Sequence, residues 1–185
     1  IFNLIGPYDE ELIRNQDDEF NFRLNQSGEK IWLDPSIKSS YHSRSSFKKL
    51  FLQYFGYGKF KVRVMQKRKS YASFRHLVPM LFVLSFLVSF IFYCFTRNHQ
   101  LLLSLLTSYF LFAVLGSSIE FFKTMSSFKV ILRYIPSIVL IMFSYFIIHF
   151  SYGIGFLYGL IIFSTKWKDR SIKKDFFDEI KFQEN

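Results

Sequence analysis

One cysteine, Cys94, stands in 185 residues, so the chain can build neither a disulfide framework nor a cysteine-cluster metal site. Glycine (8) and proline (4) are scarce beside 26 phenylalanines, which excludes disordered, collagen-like and low-complexity classes. Acidic residues are also few, 14 against 24 Lys and Arg, and all of those in the first half lie at or before Asp34. From Pro35 to Arg75 there are eleven basic residues and no acidic one, interleaved with Tyr41, Phe47, Leu50, Phe51, Tyr54, Phe55 and Phe60. No signal peptide opens the chain at Ile1, which reads as a start inside a domain, and no internal repeat or Pro/Gly/Ser linker divides it.

What is present is apolar. Half of the residues are hydrophobic and 21% aromatic. A formal charge of +10 joined to a mean hydropathy of +0.17 points to a bilayer with anionic lipid. Nucleic acid is not an expected partner, because the basic residues adjoin a membrane-type run and lack the spacing of a base-stacking surface. Leu77 to Thr96 holds no charge and is long enough to cross a ~30 Å hydrocarbon core as a helix. Leu101 to Ile119 is a second such run, joined to the first by four residues, so the two form a hairpin. The third, Tyr134 to Thr165, is long for one crossing and short for two, and Ser151-Tyr152-Gly153 reads as a break within it.

The positive-inside bias favours an even number of crossings. Lys123, Lys129 and Arg133 share one loop, and Lys166, Lys168, Arg170, Lys173 and Lys174 follow the last apolar run. The expected ending is a re-entrant or short hairpin element, with three plain crossings as the alternative. The expected division is 1–40 as a soluble front, 41–76 as a basic amphipathic interfacial segment, 77–165 as membrane helices and 166–185 as a cytoplasmic tail.

In the front, Glu10 to Asn25 has helical spacing, with Leu12, Ile13, Phe20 and Leu24 for one buried face and Gly28 as the stop. Ile31, Trp32 and Leu33 read as a short strand closed by Asp34-Pro35, giving the edge of an α/β domain. Asp17, Asp18 and Glu19 lie on that helix, pointing about 100° apart, so they cannot be three equivalent catalysts. Arg14 and Arg23 stand at ion-pairing distance along it, and a charge run of this kind is ordinarily a solvated face.

The runs Gly6 to Leu12, Arg14 to Leu24 and Gly28 to Pro35 resemble the C-terminal part of the catalytic domain of family-2 inverting glycosyltransferases, in the succinoglycan-type exopolysaccharide branch. The resemblance implies a GT-A-type α/β domain whose edge is followed by an all-α membrane region of three to four helices. It implies a general base at Asp17, with Asp18 as its rival. Gln16 stands where the family commonly has Glu, which removes a charge beside the base. It also implies a nucleotide-sugar donor, a polyprenyl-linked saccharide acceptor and a divalent metal, Mg or Mn, on an Asp-x-Asp motif. No such motif precedes Asp17, so the metal and most of the nucleotide site belong to a missing N-terminal part. The fragment alone is then inactive.

A second match covers Tyr41 to Lys61, where Arg44, Gln53 and Tyr57 become candidates for substrate or acceptor contact. The Gln-x-x-Arg-Trp motif of processive synthases is replaced here by Gln53-Tyr54-Phe55-Gly56-Tyr57. Phe47, Leu50, Phe51 and Tyr54 recur at helical spacing and suit a helix in the headgroup layer. A third match is His149 to Phe156; His149 at membrane depth is either an acceptor-side residue or a packed, hydrogen-bonded one. The expected function is a multi-pass, cell-membrane glycosyltransferase with its catalytic part in the cytoplasm. The competing class is a non-catalytic scaffold or transporter subunit, against which stands the lack of charged pairs in Leu77–Thr96 and Leu101–Ile119.

Overall fold

A computed structural model describes residues 1–42, 44–69, 74–124, 137–169 and 171–172. Lys129, Arg133, Arg170, Lys173 and Lys174 of the basic clusters lie outside the described residues. Among the described residues six α-helices follow one another: α1 Phe2–Ile5, α2 Gln16–Gln26, α3 Phe47–Arg68, α4 Val78–Thr96, α5 Gln100–Thr124 and α6 Ser137–Ile162. Single 3-10 turns at Phe74–His76 and Ser164–Lys166 bracket the apolar part.

Local chemistry sets the boundaries. Asn15 takes a left-handed conformation (φ 62°) that turns the chain into α2, so the helix begins at Gln16 and not at Glu10 as its spacing predicts. Leu12 and Ile13 therefore precede the helix. Leu12 still reaches the core, while Ile13 is exposed. At the other end Gly28 (φ 84°) follows the cap, and the Glu29 N–H donates to the Leu24 carbonyl, the 6→1 bond of a glycine-terminated helix. The Ser46 hydroxyl caps α3 by accepting from the Lys49 N–H at 3.3 Å. Pro79 occupies the first turn of α4, where its missing N–H costs nothing.

No strand occurs among the described residues, which corrects the expected α/β edge at Ile31–Leu33. Trp32 and Leu33 are both 88% exposed. A strand needs a partner for its N–H and C=O groups, and no neighbouring segment offers one. The described fold is all-helical, with three helices apolar enough to cross a membrane.

The third apolar run also departs from expectation. α6 passes through Ser151-Tyr152-Gly153 as one continuous helix. Its glycines serve close approach, not a break. A Cβ on Gly155 would collide with the Phe55 carbonyl of α3, one on Gly58 with the Tyr152 carbonyl of α6, and one on Gly153 with the Pro79 carbonyl of α4. α3 and α6 thus lie backbone to backbone, with Phe60 and Phe163 joining Leu12 and Val64 in a shared core. Gly155→Ala is expected to push the helices apart and cost about 1–3 kcal/mol. Gly116→Ala on α5 meets only ordinary contact with Tyr145 and should be neutral or stabilising. Thermal unfolding of the two variants side by side in one detergent checks the contrast.

Candidate functional site

The three adjacent carboxylates of α2 have three different environments. Glu19 is fully buried; Arg23 donates to both of its oxygens at 2.9 Å, and Arg68 reaches it from α3. Arg23 also donates to the carbonyls of Ile5, Gly6 and Pro7, so the Glu19–Arg23 pair ties the front loop to α2. Burial is the main reason that the Arg68 guanidinium is held below its usual range, against the opposing pull of Glu19. Asp18 is half-exposed and receives Lys61 Nζ of α3 at 2.9 Å. Asp17 is exposed and makes no ion pair among the described residues. Arg14, a possible partner by spacing, lies instead against Gly56 of α3.

These contacts dock the start of α2 on the middle of α3. Asn15 Nδ2 donates to the Tyr57 carbonyl at 2.9 Å, two residues before Asp17, and Asp18 meets Lys61 one turn further along α3. Three of the sequence candidates join this patch. Arg44 Nε donates to Gln53 Oε1 at 3.0 Å, and Gln53 Nε2 donates to the Tyr57 hydroxyl at 2.8 Å and to the Tyr41 hydroxyl at 3.4 Å. Gln53 is buried and its amide is committed to these side chains, whereas Arg44 is exposed. His76, at the entry to α4, faces the same region. Burial first, then Lys61 and Arg75, hold its imidazole below the usual histidine value, with Asp18 opposing.

His149 lies elsewhere. It sits in the groove between α5 and α6, where its Nδ1 is 3.0 Å from the Tyr109 hydroxyl, and among the described residues no hydrogen bond joins it to the Asp17 patch. Tyr145 and Gly116 line the same groove.

Sequence reading missed the largest polar feature. Arg63 of α3 is fully buried and donates to both oxygens of Glu11 at 2.9 Å, to Asp169 Oδ2 at 3.1 Å and to the carbonyls of Lys166 and Asp169. Lys67, also buried, joins Asp9 and Glu11 and donates to the Ser171 carbonyl at 2.9 Å. A single signal was available: Arg63 stands between Val62 and Val64 in an otherwise basic stretch of α3.

Burial alone would raise the pKa of Glu11, but hydrogen bonds from Arg63, Lys166 and Lys67 outweigh it and hold the carboxyl well below its ordinary value of 4.5. A depressed acid stabilises the fold fully above its unfolded pKa and loses that contribution as pH falls. Thermal midpoints should therefore drop on acidification from about pH 5 to about pH 3, and Glu11→Gln should flatten that slope.

Among the described residues no three His, Cys, Asp or Glu side chains could hold a metal ion together. With Asp18 paired and Glu19 enclosed by two arginines, the α2 carboxylates do not fit a divalent cation.

Comparison with known proteins finds polysaccharide- and lipid-linked-saccharide-related sequences. A succinoglycan biosynthesis protein, ExoA, of Rhizobium meliloti is 33% identical over 79 residues, 43% of this chain and 24% of that protein. A dolichyl N-acetyl-alpha-D-glucosaminyl phosphate 3-beta-D-2,3-diacetamido-2,3-dideoxy-beta-D-glucuronosyltransferase of Methanococcus voltae is 40% identical over 76 residues, 41% of this chain and 23% of that protein. The expected resemblance to sugar transferases of the succinoglycan type is borne out at this level. The chain spans about a quarter of the length of the curated relatives it matches. No protein-family model matches it. No solved structure matches it.

Proposed function

We propose that this chain is the acceptor-side and membrane part of an inverting glycosyltransferase of polysaccharide biosynthesis. Its catalytic domain is of the GT-A type, with residues 1–40 at the domain's C-terminal end. The observation that carries the reading is the separation of tasks on α2: Glu19 is structural, Asp18 is neutralised by Lys61, and Asp17 is an exposed carboxylate with no ion pair among the described residues, next to the contact that docks α2 on the basic helix α3. The similarity to a succinoglycan biosynthesis protein and to a glucuronosyltransferase supports it.

In this reaction Asp17 accepts the proton of the acceptor hydroxyl as that oxygen attacks the anomeric carbon of a nucleotide sugar. The new C–O bond forms on the face opposite the breaking bond to the nucleoside diphosphate, so configuration inverts. A positioned base and an oriented hydroxyl are what α2 can supply. Donor diphosphate and any Mg or Mn would be held by residues outside this chain.

The acceptor is a polyprenyl-linked saccharide, presented at the bilayer surface beside Arg44, Gln53 and Tyr57, and the catalytic side is cytoplasmic. Membranes carrying the complete enzyme should transfer label from a radioactive nucleotide sugar into a chloroform/methanol-extractable saccharide. Label found only in free sugar, or none above vector membranes with a panel of common nucleotide sugars, would contradict the proposal.

A further inference from the structure

Three helices are long and apolar enough to cross a bilayer, Val78–Thr96, Gln100–Lys123 and Ser137–Ile162. The contacts at their two ends do not allow three crossings. Lys166 Nζ donates to Glu11 Oε1 at 2.8 Å, Lys67 Nζ to the Ser171 carbonyl at 2.9 Å, and Arg63 to the carbonyls of Lys166 and Asp169. Residues before α4 and after α6 are therefore on one side of the membrane, and the number of crossings between them is even. The sequence 125–136 is twelve residues long and includes Lys129 and Arg133, well short of the ~20 apolar residues of a helical crossing. Those residues lie outside the described ones, but a stretch of that length and charge is too short for a helical crossing, so an even number leaves one of the three described helices that does not cross.

The neighbour of α6 identifies which. α3 runs beside α6 in the same direction: Phe47 meets Phe143 at 4.9 Å, Phe55 meets Tyr158 at 5.5 Å, Phe60 meets Phe163 at 5.9 Å, and Gln66 donates to the Phe163 carbonyl at 2.9 Å. α3 carries seven basic residues and no acid. Its longest uncharged stretch, Leu50 to Gly58, is nine residues or about 14 Å, half of a ~30 Å core. Such a helix does not cross, and a helix aligned with it from Phe143 to Phe163 shares its depth. α4 also starts against the middle of α6, at Gly153, leaving about 14 Å of α6 beyond that point on the soluble side of any upright placement. That end still exposes Ile161 (73%) and Ile162, as the other end exposes Val139 (61%) and Leu140.

We infer that α6 lies along the membrane surface, sunk in one leaflet, with α3 covering its glycine face, and that only α4 and α5 cross. The partner of this α3–α6 layer is the lipid leaflet itself. Acyl chains cover Val139, Leu140, Phe143, Ile161 and Ile162, and phosphate headgroups meet the exposed Lys48 and Lys49 at the rim. The layer places the Asp17 patch at the surface whatever reaction occurs there.

The test uses spin labels on single cysteines in a Cys94→Ser background, in vesicles of phosphatidylcholine and phosphatidylglycerol, with depth read from collisions with oxygen and a water-soluble nickel chelate. Labels at Val139, Phe146 and Ile161 should report one shallow depth, and a label at Val88 in α4 a depth near the bilayer centre. Depths that pass through the centre between Val139 and Ile161 would overturn the inference. A second readout needs only exposed loops: a membrane-impermeant maleimide should reach cysteines at Lys38 and Lys168 from one side and at Asn98 from the other. Lys168 and Asn98 labelled from the same side would overturn it too. Neither readout depends on sugar transfer, so each stands or falls apart from the proposed activity.

Discussion

Arg63→Ala should destabilise the chain by about 3–5 kcal/mol, the range for removing one partner of a buried ion pair. Arg63 is fully buried, and its five donors serve Glu11, Asp169, Gln66 and two backbone carbonyls. Truncation leaves the carbonyls of Lys166 and Asp169 without this donor and opens a cavity the size of the side chain. Lys67 and Lys166 still hold Glu11, so its charge is not abandoned outright. Arg63→Lys keeps the charge and loses the planar fork, so it should fall between wild type and alanine. The expected signature is a lowered thermal midpoint together with faster proteolysis within residues 27–46, since the pair bridges the front, α3 and the segment after α6. A midpoint equal to wild type would mean that the network closes without Arg63.

Why these links escaped sequence reading is physical. Helical spacing marks which residues of one segment share a face, and it found α2, α3 and the apolar helices. Nothing in spacing says that Arg63 meets an acid 52 positions earlier, because that pairing is set by the docking of the front on α3, nor that it meets Lys166 and Asp169, which the glycine contacts between α3 and α6 bring to it. The same contacts explain the continuous α6. Gly153 looks like a break in a one-dimensional pattern and is a point of helix crossing in three dimensions. Ile31–Leu33 shows the converse: β-type residues do not form a strand without a sheet edge to join. The α2 carboxylates were legible as unequal from the 100° step between neighbours, whereas the hydrogen bonds that join Arg44, Gln53 and Tyr57 were not, since the resemblance offered them only as separate candidates. The burial of Glu19 required Arg68, which no local pattern links to it.

Asp17→Asn in the complete enzyme is expected to lower turnover by roughly 10² to 10⁴, the contribution of a positioned acid–base group. The amide keeps the shape of the carboxylate and cannot accept the acceptor's proton. Donor binding should be nearly unchanged, because the role proposed for Asp17 is on the acceptor side, so the loss should appear in kcat more than in the donor KM. Asp18→Asn removes one partner of a half-exposed ion pair with Lys61, which is worth less than about 1 kcal/mol, and should cost activity only modestly. Glu19→Gln is the structural control; it should act through stability, since Glu19 touches Arg23 and Arg68 and no solvent.

The most direct measurement is single-turnover sugar transfer by the complete enzyme and its Asp17→Asn and Asp18→Asn variants, with donor affinity measured on the same membranes. A chemical step slowed by roughly 10² or more in Asp17→Asn alone, at unchanged donor affinity, is the result this account requires. Equal small losses in both variants would make α2 an ordinary solvated face, and a dead Asp18→Asn beside an active Asp17→Asn would move the base by one residue.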